Sequence, residues 1–182
     1  MKSNLRLGHG ELDGVREVGG FGQPLHALYP QIKAVLTSEL GPDAGYLLAE
    51  PVVDRAKNRI DWYAESEPDQ KPVPLGDLPA EDRQSILAQV NEQLGRGRVL
   101  AERYAASDDA RRAQLGAILR AVLASSADTE IFLVEGKPVI TGWGFGLDQL
   151  WGAAGSAVRA SMPPGEPDQS ARDVVIPAVA IP

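Results

Sequence analysis

Residues 79–123 read PAEDRQSILAQVNEQLGRGRVLAERYAASDDARRAQLGAILRAVL, and this stretch decides the fold. Pro79 opens a helix, because its fixed φ suits a first turn and its missing N–H is not needed there. Glu81 and Asp82 follow, where acidic side chains complement the helix dipole. Ile86, Leu87, Val90, Leu94, Ala101 and Tyr104 then recur at helical spacing and form an apolar stripe. Gly95 and Gly97 interrupt it. Each glycine costs about 1 kcal/mol relative to alanine inside a helix, so a bend or a close helix crossing is expected there. Ser107 or Asp108 is expected to cap a second helix, in which Leu115, Ile118, Leu119, Val122 and Leu123 repeat at three and four residues. Arg111, Arg112 and Arg120 belong to its wet side. The connection is short, so the two helices form an antiparallel pair.

Outward from this pair the periodicity changes to that of strands. On the C-terminal side, Ile131–Val134 and Lys137–Trp143 flank Glu135-Gly136, which reads as a tight hairpin whose turn needs the glycine. Pro138 suits an edge strand, since it has no N–H for a second ladder. On the N-terminal side, Tyr46–Glu50 and Arg59–Ala64 read as a first hairpin, with Pro51–Asn58 as its connection. Prolines 68, 72, 74 and 79 mark an exposed crossing loop over residues 65–79. A short helix is expected from Pro30 to Leu40, with Ile32, Val35, Leu36 and Leu40 on one face and Gly41 at its end.

The architecture predicted is α+β: a small antiparallel sheet built from two β-hairpins, an antiparallel helix pair and a short N-terminal helix. The core domain is expected over residues 23–146. Residues 1–22 are glycine-rich, show no sustained period, and read as an irregular arm. An amphipathic helix is expected over 147–162, through Leu147, Leu150, Trp151 and Val158. Residues 163–182 have the composition of a proline-rich linker and tail, whose apolar end could add as a strand to a partner.

With 182 residues, 43% of them hydrophobic and 24% charged, the chain belongs to the globular class. It lacks an apolar run of the roughly 18 residues that a spanning helix needs, and residues 1–10 hold no signal-peptide core, so a cytoplasmic location is expected. The net charge of -7 argues against a nucleic-acid partner. There are no cysteines, which excludes disulfides, thiol nucleophiles and thiolate metal sites.

Catalytic patterns are sparse. His9 and His26 lack a carboxylate or a second histidine at metal-ligand spacing and read as structural or surface residues, so no metal site is expected. Residues 19–24 are glycine-rich but lack the Lys-Ser/Thr ending of a phosphate loop, and neither a Gly-x-Ser-x-Gly elbow nor a cofactor motif occurs. Glu50, Asp54, Asp61 and Glu65 lie in or beside the first hairpin. A pair of them could do acid–base work, or they could be the solvated face opposite a buried aromatic. The remaining feature is aromatic: Trp143 and Phe145 in a Gly-Trp-Gly-Phe-Gly run, then Trp151. They could cap the core or dock a partner, and with Pro138, Trp62 and Tyr63 they make up the candidate partner-binding set.

Four segments in order, residues 20–25 (GFGQPL), 59–63 (RIDWY), 132–140 (FLVEGKPVI) and 143–145 (WGF), resemble the N-terminal region of the SrfA family of bacterial virulence-associated proteins. The resemblance spans most of residues 15–146. It implies company: members are encoded with SrfB, similar to large actin- or Hsp70-type ATPases, and SrfC, similar to dynamin-type GTPases or coiled-coil proteins. Members carry more chain after the Trp-Gly-Phe segment, and no role of that part is implied here; nor are catalytic residues. The function expected is a non-enzymatic adaptor or assembly subunit of an SrfABC-like toxin complex, bound to SrfB-like and SrfC-like proteins. The alternatives are a toxin-like effector using carboxylates near Asp61, and an acidic, antitoxin-like subunit that masks a basic surface.

Overall fold

The computed structural model describes residues 3–13, 17, 19–20, 22–125 and 130–145, all within one compact unit, Met1–Leu150. The helix expected over 147–162, with Trp151, and the tail over 163–182 lie outside the described residues. The first element corrects the sequence reading. Ser3–Glu11 is not part of an irregular arm but a nine-residue strand, β1. Its alternation is hidden by a bulge between Arg6 and Gly8. Leu5 and Leu7 point to the core side, and the extra residue lets Gly8 and Gly10 resume that same side. An added Cβ on Gly8 would already touch the Phe132 ring, so the aromatic occupies the volume that a side chain would have supplied.

Two-residue strands β2 (Gly19–Gly20) and β3 (Gln23–Pro24) form a small ladder, and a 3-10 turn leads into α1 (Tyr29–Leu40). Pro30 sits in the first turn of α1 and Gly41, at φ 99°, ends it, as expected. The first hairpin is displaced from its expected place. Pro42 and Asp43 start another helix at once, α2 (Pro42–Tyr46), so Tyr46 is helical. Strand β4 then covers Glu50–Asp54, all but Glu50 within the expected connection, and the loop to β5 (Arg59–Ser66) is only residues 55–58. Asp54 sustains that loop by accepting the Lys57 N–H at 3.1 Å.

The expected crossing loop holds β6 (Val73–Pro74) and a 3-10 turn. Helices α3 (Ala80–Ala105) and α4 (Ala110–Ser125) are the predicted pair. Val90, Leu94, Leu100, Ala101 and Tyr104 are buried, whereas Leu87 is exposed, because the first turns of α3 project beyond α4. The cap of α4 is Asp109 instead of Ser107 or Asp108: its carboxylate accepts the Arg112 N–H at 2.9 Å, while the Ser107 hydroxyl accepts the Asp109 N–H. Strands β7 (Ile131–Val134) and β8 (Lys137–Ile140) follow, with Glu135 at φ 53° and Gly136 at φ 75°, the two positive angles of a type I′ turn.

The fold class is α+β. Each hairpin recruits a third strand, giving one antiparallel sheet in the order β1-β5-β4 and another in the order β6-β7-β8. Leu48 and Ile140 link them by a parallel bridge, in which the Ile140 N–H donates to Leu47 O at 2.7 Å and the Ala49 N–H to Ile140 O at 2.9 Å. Among the described residues no helix is long and apolar enough to cross a membrane.

The two interrupting glycines of α3 play different parts. A Cβ on Gly97 would meet the Leu123 methyls at 3.1 and 3.2 Å, so the expected close helix contact exists there. A Cβ on Gly95 would meet nothing within 4 Å. Gly95→Ala should therefore stabilise the protein by up to about 1 kcal/mol, through helix propensity and a less flexible unfolded chain. A urea midpoint that stays level or falls would contradict this.

Candidate functional site

The aromatic side chains singled out in the sequence meet each other and not solvent. Trp62 comes from the central strand β5, Trp143 and Phe145 from the segment after β8, Tyr29 from α1 and His26 from the 3-10 turn before it. Trp62 lies 6.1 Å from Trp143 and 6.0 Å from Phe145, edge to face with the latter. Tyr29 lies 6.0 Å from Trp143, and His26 stacks on Phe145 at 5.3 Å with an interplanar angle of 8°. These separations are those of favourable aromatic pairs. The Trp143 Nε1–H donates to Ala49 O at 2.9 Å, and the Gly144 N–H donates to the Ser125 hydroxyl at 2.9 Å. Gly142 and Gly144 adopt φ of 78° and 81°, which lets the chain turn Trp143 and Phe145 inward together.

This corrects the candidate partner-binding set. Trp143, Phe145 and Trp62 are 0%, 1% and 1% exposed, so they are core and not docking anchors. Tyr63 and Pro138 are half-buried, and Trp151 lies outside the described residues. Pro138 does stand in an edge strand, as expected. His26 belongs to the core too, with a buried Nδ1 that has no partner; burial lowers its pKa, against the pull of the Glu17 carboxylate.

No family model matches the chain. Neither a curated protein nor a solved structure matches it either. Residues 20–25, 59–63, 132–140 and 143–145 converge on the aromatic core: Leu25, Trp62, Trp143 and Phe145 are all buried, and Phe132 stands over Gly8.

Asp61 occupies the solvent side of β5, with Trp62 beneath the sheet. Its Oδ1 takes Arg6 Nε at 2.7 Å and Arg59 at 2.7 and 3.1 Å. Burial pushes its pKa up, but the hydrogen bond from Arg59, the Arg6 and Arg59 charges and the bond from Arg6 outweigh this and hold it below the usual carboxylate range. A carboxylate so clamped is a poor proton donor near neutrality. Because the folded pKa is the lower one, the contribution to stability is present above the unfolded value, about 3.9, and is lost as pH falls through the folded pKa. Asp61→Asn should cost on the order of 1 kcal/mol at neutral pH, since both arginines are substantially exposed. The gap should close below about pH 4 in denaturant titrations; a gap that is constant with pH would contradict the clamp.

Two further features were not legible in the sequence. One is the edge of β1. The other is an open groove of about 540 Å³ between α1 and the β4–β5 pair, lined by Tyr29, Lys33, Glu50 and Glu65 among others. Lys33 donates to Glu65 at 2.5 Å, and the Tyr46 hydroxyl donates to the other Glu65 oxygen at 3.2 Å. The Lys33 and Lys137 ammonium groups lie 5.5 and 5.4 Å from the Tyr46 ring centroid, within cation–π range. Among the described residues no group of three or more His, Asp or Glu is placed to hold a metal ion.

Proposed function

We propose that the chain is a non-enzymatic adaptor that takes an extended segment of a larger protein onto the free edge of β1, within an assembly of the SrfABC type. The observation that carries this is the condition of the sheet edges. Among the described residues, β1 pairs only with β5, and its other edge meets no strand. The remaining edge strands of the two three-stranded sheets, β4, β6 and β8, each contain a proline, Pro51, Pro74 and Pro138. Proline blunts an edge because it offers no N–H to an incoming strand. β1 has none, and its edge is nine residues long. Such an edge supplies main-chain hydrogen bonds to an added strand, the β-augmentation mode of recognition.

The resemblance supplies the candidate companions, an SrfB-like ATPase or an SrfC-like GTPase, in the cytoplasm of a bacterium. The effector reading loses its motive with Asp61 held by two guanidinium groups. Co-purification of the tagged chain from its own cell, followed by sizing and mass spectrometry, tests the proposal. A stoichiometric large ATPase-like or GTPase-like companion is expected. A lone monomer that poisons cells on expression would overturn the adaptor reading.

A further inference from the structure

His26 is one of two histidines in the chain, and its Nδ1 is enclosed without a hydrogen-bond partner. A buried polar atom normally finds one. Either tautomer of the neutral ring leaves Nδ1 unsatisfied, whereas the charged ring makes both nitrogens donors. The surroundings suit the neutral form: the imidazole stacks on Phe145 at 5.3 Å and 8°, and Phe145 is buried. Burial lowers the His26 pKa from its ordinary 6.5, against the charge of Glu17 and together with that of Arg55.

The carboxylate that an imidazolium would need adjoins the same ring and is committed elsewhere. Glu17 and Phe145 form an antiparallel bridge, and residues directly opposite in such a pair project to the same side. Glu17 accepts from Arg55 Nη2 at 2.8 and 3.2 Å. Arg55 is 68% exposed, and an ion pair so open to water contributes little. An enclosed charged donor without an acceptor costs far more. The other elements packed against the 3-10 turn offer no rival acceptor. Strand β3 carries no charge, and α4 presents Arg111 across a groove shared with Gln23 and Leu28. On α1, Lys33 is paired with Glu65, and Glu39 with Tyr104 and Arg103.

We infer that His26, Glu17 and Arg55 form a proton-operated latch: when the imidazole takes a proton from solvent, the Glu17 carboxylate leaves Arg55 for the imidazolium N–H, and the β4–β5 loop loses its tie to residue 17. Asp54 still accepts the Lys57 N–H, so the loop is untied and not unfolded. The folded pKa is the lower one. The stability owed to the neutral ring is therefore present above about pH 6.5 and declines as pH falls through the folded value. The latch is independent of docking on β1.

The test is an NMR titration of the full chain from about pH 7.5 to 4.5, reading both histidine rings and the amides of residues 55–58, with His9→Gln to assign the rings. The His26 ring should titrate below 6.5, and the loop amides should move with the same midpoint. Glu17→Gln should lower that midpoint by roughly 0.3–1 on the pH scale and leave the loop amides still as His26 titrates. Arg55→Ala frees Glu17 and removes a positive charge, so it should raise the midpoint. Both side chains reach solvent, so these variants keep the fold. The inference is overturned if the loop amides are silent or move alike in Glu17→Gln, if either variant leaves the His26 midpoint in place, or if the chain unfolds before His26 titrates.

Discussion

Replacing Trp143 with alanine is expected to cost about 3–5 kcal/mol, enough to leave a domain of ordinary stability partly unfolded at 37 °C. Three losses combine. The indole is fully buried, so a cavity opens between β5, α1 and the segment after β8. Trp62 and Tyr29 each lose an aromatic neighbour at about 6 Å. The Ala49 carbonyl loses its donor within the core, next to the bridge that links the two sheets. Urea unfolding followed by circular dichroism checks this: the midpoint should fall sharply, with Trp143→Phe costing clearly less because it keeps an aromatic ring and leaves a smaller cavity. A Trp143→Ala protein as stable as the parent would mean that the residue is a surface anchor. Loss of partner binding in this variant is no evidence of a contact, because the variant loses its core first.

A methyl group at Gly116 is expected to cost about 2–3 kcal/mol, the second largest effect. Gly116 lies at the crossing of α4 on α3, where an added Cβ would stand 2.3 Å from Ala105 N, 2.8 Å from Ala101 O and 2.8 Å from Tyr104 C. These are backbone atoms, so no rotamer change relieves the overlap and the helices must separate. Gly116→Ala should lower the melting temperature by about 5–10 °C, while the same change at Gly95, in open space, should raise it. Equal effects at the two positions would contradict the crossing geometry. α3 in turn anchors α1: the Tyr104 hydroxyl donates to Glu39 at 2.7 Å, and Arg96 donates to the Leu40 carbonyl at 3.1 Å.

The parts of this fold legible in the sequence are those whose signals are local. Pro79, the acidic first turn and the stripe through Leu94 and Tyr104 are enough for α3, and Glu135-Gly136 is enough for the second hairpin. Where the signal is tertiary, the reading fails. β1 is hidden because its bulge shifts the alternation and Gly8 takes the place of an apolar side chain under Phe132. Tyr46–Ala49 has strand-forming residues, yet Pro42 after Gly41 starts a helix that runs through Tyr46. Trp143 and Phe145 have the composition of interface anchors and of core alike; only the positive φ values at Gly142 and Gly144 turn them inward. Tyr29 carries no mark beyond preceding a helix-opening proline, yet its ring packs against Trp143 in the core.

The central claim is that a partner adds to the edge of β1, and backbone hydrogen exchange of the chain alone and with its co-purified companion tests it most directly. Amides of residues 3–11 whose N–H groups are not paired with β5 should exchange fast in the free chain and slow by at least about tenfold in the complex, as new ladder hydrogen bonds form. Unchanged exchange over residues 3–11, with protection appearing on α3, α4 or the β7–β8 hairpin instead, would contradict it.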